Sequence, residues 1–334
     1  MNIAVLGAGN WGTTAALLLD GKGHRISLWE YNERLAAAMM ESRENVTYLK
    51  GYRIPEGITI TSSLEEAVED AEMVVFVVPS PAMRETARRC AKLGAAGGGT
   101  ILVSLTKGLE YETLRTMTGI IEEEIHSHTA VVLSGPCIAS EVAQGMPTTI
   151  VSASRDSGAA RIVQDVFMTP VFRVYTSDDP LGVQLGGALK NIIAIAAGIC
   201  DGLGFGTNAK SALMTRGIVE MIRFGTVLGA MPETFNGLSG IGDLITTCIS
   251  PHSRNRRVGE ELASGRALVD ILADMVMVAE GVPTTRAVRE YSRAHGVDMP
   301  ITEQVYGVLF EGKDPRKAVP GLMMRDRKAE YERA

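Results

Sequence analysis

Gly7-Ala8-Gly9-Asn10-Trp11-Gly12 follows a short apolar run, Ile3-Ala4-Val5-Leu6, and opens an amphipathic segment, Thr13 to Leu19, that stops at Asp20-Gly21-Lys22-Gly23. The pattern reads as strand, glycine-rich turn and helix. Gly7 permits the tight turn off the strand, Gly9 lets backbone approach a pyrophosphate, and Gly12 lets helix and strand pack closely. Free N–H groups and the positive end of the helix then face the phosphates. A second run, His24 to Trp29, ends at an acid, Glu30, close to the spacing of about 20 residues at which such a turn expects a ribose-binding carboxylate. The stretch predicts a dinucleotide site.

Alternation of strand and helix continues outward from it. Asn32 to Glu44 reads as a helix, Ile58 to Ile60 as a short strand, and Ser63 as the cap of a helix over 64–70. Continuous apolar runs at Met73 to Val78, Thr100 to Leu105 and Thr129 to Leu133 suit strands buried on both faces of a parallel sheet. Helices are expected at 82–92, 112–126 and 138–144, a turn at Gly97-Gly98-Gly99, and further strands at 148–152 and 171–175. This is a Rossmann-type doubly wound sheet, in which ligands sit beyond the carboxyl ends of the strands. Glu30, Ser80, Lys107 and Ser134 stand at such ends.

The texture changes after Asp178-Asp179-Pro180. Leu181, Leu185, Leu189, Ile192, Ala196 and Ile199 recur at helical spacing, and more helical segments follow, over 210–228, 240–248, 254–263, 269–275, 284–295 and 301–310. Residues 1–179 are thus expected to form the dinucleotide-binding domain and 180–334 an all-helical catalytic domain, with the active site between them.

Composition narrows the function. The chain has 334 residues, 46% apolar and 22% charged, as in a soluble globular protein. A net charge of −6 and 5% aromatics leave no footprint for nucleic acid. The apolar stretch 181–200 contains Gln184, Lys190 and Asn191, which suit a buried helix and not a membrane span. With the first strand expected to begin at Asn2, no signal peptide is expected. Cys90, Cys137, Cys200 and Cys248 form no CxxC pair, so a cytoplasmic location is expected. Five scattered histidines offer no metal triad, so no metal is expected.

Three polar features break the apolar pattern. Lys190 lies between Ala188, Leu189, Ile192 and Ile193; it is either a snorkelling side chain or a proton-transfer group whose pKa burial or a neighbouring cation, such as Lys107, has lowered. Asp243, after Gly240-Ile241-Gly242, either caps a helix or orients Lys190. Ser253-Arg254-Asn255-Arg256-Arg257, just past Pro251, is either a solvated helix face or a phosphate site built from guanidinium forks, an amide and helix N–H groups. The residues alone leave open a dehydrogenase acting on a carboxylated substrate and a cofactor-binding sensor without turnover.

Along nearly its whole length the chain resembles bacterial NAD(P)-dependent glycerol-3-phosphate dehydrogenase. The matching stretches are GAGNWGT at 7–13, SLTKGLE at 104–110, SGP at 134–136, the run at 182–210, GIGDLITTC at 240–248, SRNRRVG at 253–259 and AEG at 279–281. The resemblance implies reduction of dihydroxyacetone phosphate to sn-glycerol 3-phosphate, the precursor of glycerophospholipids. It casts Lys190 as the proton-transfer lysine and Lys107 as a residue shared by substrate and nicotinamide. It places Gly135, Asp243, Ser253, Arg254 and Asn255 at substrate, and Asn10, Trp11, Ala139, Val278, Glu280 and again Arg254 at cofactor. Cys137 stands where the family usually has Thr or Ser. Glu30-Tyr31 stands where members often have a neutral or basic group; a carboxylate there suits the ribose hydroxyls of NAD and repels the 2′-phosphate of NADP. NAD is the expected cofactor, with NADP open through Arg34. The charged tail from Arg325 to Arg333 is either a solvated helix or part of a homodimer interface.

Overall fold

The structure, a computed structural model, describes residues 1–95, 97, 99–126, 128–327 and 329–330. Gly98 of the expected turn, and residues 328 and 331–333 of the charged tail, lie outside the described residues. The strands are β1 (Asn2–Leu6), β2 (Arg25–Trp29), β3 (Glu44–Asn45), β4 (Leu49–Arg53), β5 (Ile58–Thr61), β6 (Met73–Phe76), β7 (Ile101–Ser104), β8 (Val131–Ser134), β9 (Thr148–Ala153) and β10 (Phe172–Ser177). Eight form one sheet in the order β10-β9-β8-β7-β6-β1-β2-β5. The chain winds from β1 outward through β2 to β5, then returns to the other side of β1 at β6. β1 and β6 are parallel, with Leu6 opposite Phe76 at their carboxyl ends, so the strand order reverses where the glycine turn begins.

Three local readings differ from expectation. β9 runs antiparallel to β8, with Val132 opposite Ala153. The segment joining them holds only a five-residue helix, Ala139–Ala143. At 1.5 Å per residue that is too short to carry the chain back across the sheet. The helix expected over 112–126 spans only Met117–Glu124, capped by the Thr116 hydroxyl, which accepts the Gly119 N–H. Residues before it fold as a loop closed by a bridge between Leu109 and Thr116. The cause is tertiary: Leu109 is fully buried in the core of the helical domain. The helix expected over 32–44 ends at Ser42, and Glu44 instead enters β3, which pairs antiparallel with β4, where three of five residues are exposed and no apolar pattern marks the strand.

Beyond β10 the chain is helical. A central helix, Pro180–Gly202, is buried from Gly182 to Cys200. Among the described residues it is the one helix long and apolar enough to cross a membrane, and its apolar stretch is instead buried within the fold. Asp179 starts it: its carboxylate accepts the N–H of Gly182 at 2.8 Å and of Met231 at 3.0 Å, and the Thr234 hydroxyl at 2.6 Å. Helix Arg254–Ala263 crosses the central helix backbone to backbone. A Cβ on Gly198 would lie 1.9 Å from the Arg256 carbonyl, and one on Gly259 2.0 Å from that of Ile195. Residues 238–242 form a π-type turn, closed by Gly242 N–H to the Gly237 carbonyl, before helix Asp243–Ile249 begins.

Candidate active site

The glycine turn has the geometry its sequence predicts. Gly7 has φ +112°, and a Cβ there would stand 3.0 Å from the Val77 carbonyl group. A Cβ on Gly12 would lie 1.8 Å from the Gly7 oxygen, whereas one on Gly9 would meet nothing within 4 Å. Gly9 therefore leaves open space at the N-terminus of helix Asn10–Asp20, where unpaired N–H groups collect. The Trp11 indole N–H and the Asn10 side-chain oxygen are buried there without partners. A pyrophosphate accepts from such N–H groups, so these residues fit a dinucleotide. Ala139 packs beside them through its carbonyl, which accepts the Thr14 hydroxyl at 3.3 Å. Glu30, buried at the end of β2, accepts N–H groups from Asn32, at 3.0 Å, and Ala8. Burial raises its pKa, and the two N–H groups work against that. Tyr31 beside it is exposed.

A second cluster lies where the carboxyl edge of the sheet meets the central helix. Lys190 donates to Asp243 Oδ1 at 2.5 Å and to the Thr247 hydroxyl at 2.6 Å. Lys107, just past β7, donates to Asp243 Oδ2 at 2.6 Å and to the Gly135 carbonyl at 2.8 Å, with Cys137 Sγ at 3.5 Å. The side chains of Lys190 and Asp243 are 6% and 2% exposed, that of Lys107 20%. Burial, against the pull of Asp243 and aided by repulsion from Lys107, brings the Lys190 pKa down to about 8. Burial also acts against the Lys107 charge, but the Asp243 carboxylate outweighs it and holds its pKa above the ordinary lysine value. Burial pushes the Cys137 thiol up, with Lys107 opposing, so it stays an S–H group. Lys190 is no snorkelling side chain. Asp243 is no mere helix cap, since its oxygens both receive lysines.

The basic stretch resolves into separate roles. Ser253 caps helix Arg254–Ala263, accepting the Arg256 N–H. Asn255 is buried and accepts the Gly281 N–H at 2.9 Å. Arg256 pairs with Asp201 and Glu260, and Arg257 with Glu261. Arg254 has no carboxylate within ion-pair distance among the described residues; it donates only to the Val278 carbonyl, at 2.7 Å. Arg254 is exposed as a residue, while burial around its guanidinium, opposed by Glu280, lowers its pKa. Glu280, next to Gly281, reaches Ser80 across the domain boundary. The structure thus gathers Lys107, Gly135, Cys137, Lys190 and Asp243 into one cluster, keeps Asn10, Trp11, Glu30 and Ala139 around the glycine turn, and draws Ser253, Arg254, Asn255, Val278 and Glu280 to the start of two neighbouring helices. Thr247 was missed by sequence reasoning. Its signal is its place one turn after Asp243, on the same helix face.

A doubly wound sheet with an open pyrophosphate cradle, joined to helices that keep a lysine of lowered pKa out of water, is the plan of a two-domain dinucleotide-dependent dehydrogenase. The family models make this specific: that described as the NAD-dependent glycerol-3-phosphate dehydrogenase N-terminus matches residues 2–160, and that for the C-terminus matches 179–320. The chain belongs to the NAD-dependent glycerol-3-phosphate dehydrogenase family. It is 51% identical over 334 residues to the NAD(P)+ glycerol-3-phosphate dehydrogenase of Chlorobium phaeobacteroides, covering 99% of this chain and 100% of that one. It is also 51% identical over 331 residues to that of Moorella thermoacetica, covering 99% and 98%. The crystal structure of glycerol-3-phosphate dehydrogenase from Coxiella burnetii superimposes with a TM-score of 0.93 at 38% identity, over 97% of this chain and 98% of that one.

Asp243→Asn removes the carboxylate that the two lysines share, so that Lys107 loses its counter-charge and Lys190 either faces it unscreened or gives up its proton. Breaking such a buried pair costs about 3–5 kcal/mol. We expect a lower Tm for this variant near neutral pH, with a smaller deficit at alkaline pH, where Lys190 gives up its proton. A Tm equal to wild type at neutral pH contradicts the shared-carboxylate arrangement.

Proposed function

We propose that the chain reduces dihydroxyacetone phosphate to sn-glycerol 3-phosphate with Lys190 as the proton donor. The observation that carries this is the desolvated Lys190, held 2.5 Å from the Asp243 carboxylate that it shares with Lys107. When bound, the nicotinamide supplies the hydride that turns the C2 carbonyl of the substrate into an alkoxide. Lys190, with a pKa of about 8, is charged at neutral pH yet releases its proton readily to that oxygen. Lys107 remains a fixed positive charge beside the developing oxyanion. Asp243 and Thr247 aim the Lys190 ammonium. Arg254 binds the phosphate, aided by the Asn255 amide and the start of helix Arg254–Ala263. The product suits glycerophospholipid synthesis.

The buried carboxylate of Glu30 at the end of β2 supports NADH over NADPH, since it accepts ribose hydroxyls and repels a 2′-phosphate. The four cysteines, all free, accord with a reducing compartment.

One set of assays tests the reading: dihydroxyacetone phosphate-dependent oxidation of NADH and NADPH by wild type, Lys190→Ala and Arg254→Ala. Wild type is expected to favour NADH in kcat/KM; a preference for NADPH removes Glu30 from this role. Lys190→Ala is expected to lower kcat by ~10²–10⁴, and near-normal turnover would sink the assignment. Arg254→Ala is expected chiefly to raise KM for the phosphorylated substrate; an unchanged KM takes Arg254 out of the phosphate site.

The pH profile carries its own sign. The reductive kcat needs Lys190 charged, so it falls as pH rises through about 8; the reverse oxidation needs Lys190 neutral and rises over the same range. Parallel profiles in the two directions contradict the role.

A further inference from the structure

Glu280 makes more contacts than a cofactor contact requires. It precedes helix Gly281–Ala294, whose first residue packs on the central helix: a Cβ on Gly281 would stand 2.7 Å from the Asn191 carbonyl, one residue beyond Lys190. Glu280 Oε1 accepts the Ser80 backbone N–H at 3.0 Å. Its Oε2 accepts the Ser80 hydroxyl at 2.5 Å and the Tyr111 hydroxyl at 3.3 Å. The two hydroxyl oxygens lie 3.2 Å apart. Burial and the Glu280 charge raise the Tyr111 pKa, so the phenol remains a donor. Gly108 leaves room for this grouping, since a Cβ there would lie 2.7 Å from Ser80 Cβ and 3.2 Å from Glu280 Oε2.

The location points to the dinucleotide. Val77 and Val78, just past β6, press against the Gly7 turn, and Ser80 follows two residues later. The carboxylate therefore borders the crevice at the strand-order reversal. A carboxylate has about four lone-pair sites. Ser80 and Tyr111 fill three, and the one left lies on Oε1. Glutamate is otherwise a flexible side chain whose ordering on binding costs conformational entropy. Three donors from the sheet domain order it in advance.

We propose that Ser80 and Tyr111 are positioning residues for the dinucleotide: they hold Glu280 so that the remaining lone pair of Oε1 meets a hydrogen-bond donor of the bound cofactor. This rests on the assignment of Glu280 to the cofactor site. The test is the Kd for NADH, measured by titration calorimetry on the full chain, for wild type, Ser80→Ala, Tyr111→Phe, Glu280→Gln and the two double variants with Glu280→Gln. Each single variant is expected to weaken binding by about tenfold, the scale of one hydrogen bond to a charged group. Each double variant is expected to bind as Glu280→Gln alone does.

Wild-type affinity in Ser80→Ala and Tyr111→Phe, beside weakened affinity in Glu280→Gln, overturns the positioning role and leaves the Glu280 assignment standing. Wild-type affinity in Glu280→Gln overturns the assignment itself. Equal weakening by Tyr111→Phe with and without Glu280→Gln also overturns the proposal, because Tyr111 then acts by another route. If Tyr111→Phe fails to give the wild-type circular dichroism spectrum, Ser80→Ala alone decides the question.

Discussion

Asp243 is a single carboxylate shared by two ammonium groups in a place that water hardly reaches. Three charged groups with a net charge of +1 are costly to bury; the effective penalty in proteins is several kcal/mol per ion. The surrounding apolar structure makes this tolerable. Leu189, Ile192 and Ile193 are each 1% exposed on the same helix as Lys190, and a fully buried side chain of that kind stabilises by about 1.5–3 kcal/mol. The asymmetry of the trio follows from burial together with the partners each lysine keeps: Lys190 is desolvated and repelled by Lys107, while Asp243 outweighs burial at Lys107. The deeper lysine gives up part of its basicity, and the shallower one keeps its charge.

Much of the architecture serves to bring these three groups to one point from three distant places in the chain. Lys107 arrives at the end of a sheet strand and is fixed by the Gly135 carbonyl. Lys190 comes from the middle of a helix whose glycines let neighbouring helices approach it backbone to backbone. Asp243 is delivered by a π-type turn, an irregularity common at functional positions. The loop after Lys107 is secured on both sides of the domain boundary. Leu109 enters the helical core, while Glu110 receives Arg84 in a forked ion pair at 2.6 and 2.8 Å. That loop cannot drift without disturbing either domain.

Much of this was legible in the residues. The strand, turn and helix around Gly7 to Gly12 were plain, because each glycine answers a steric need that no other residue meets. Lys190 announced itself as a charge inside an apolar helical stripe. Apolar runs located the sheet strands to within one or two residues. The direction of β9 was not legible, because it depends on whether a short connection can cross the sheet. Nor was the loop at 109–116, where burial of Leu109 overrides a local helical pattern. Periodicity reports each element's own faces and says nothing about a partner 200 positions away. The meeting of Ser80, Tyr111 and Glu280 is therefore visible only in three dimensions.

The most direct test of the shared carboxylate is the titration of Lys190 itself, followed by NMR of its Nζ-proximal carbon in wild type and in Lys107→Met. Our account predicts a midpoint near 8 in wild type. It predicts a clear rise in Lys107→Met, where Asp243 serves Lys190 alone and the repelling charge is gone. A wild-type midpoint at the ordinary lysine value, unchanged by Lys107→Met, would contradict it.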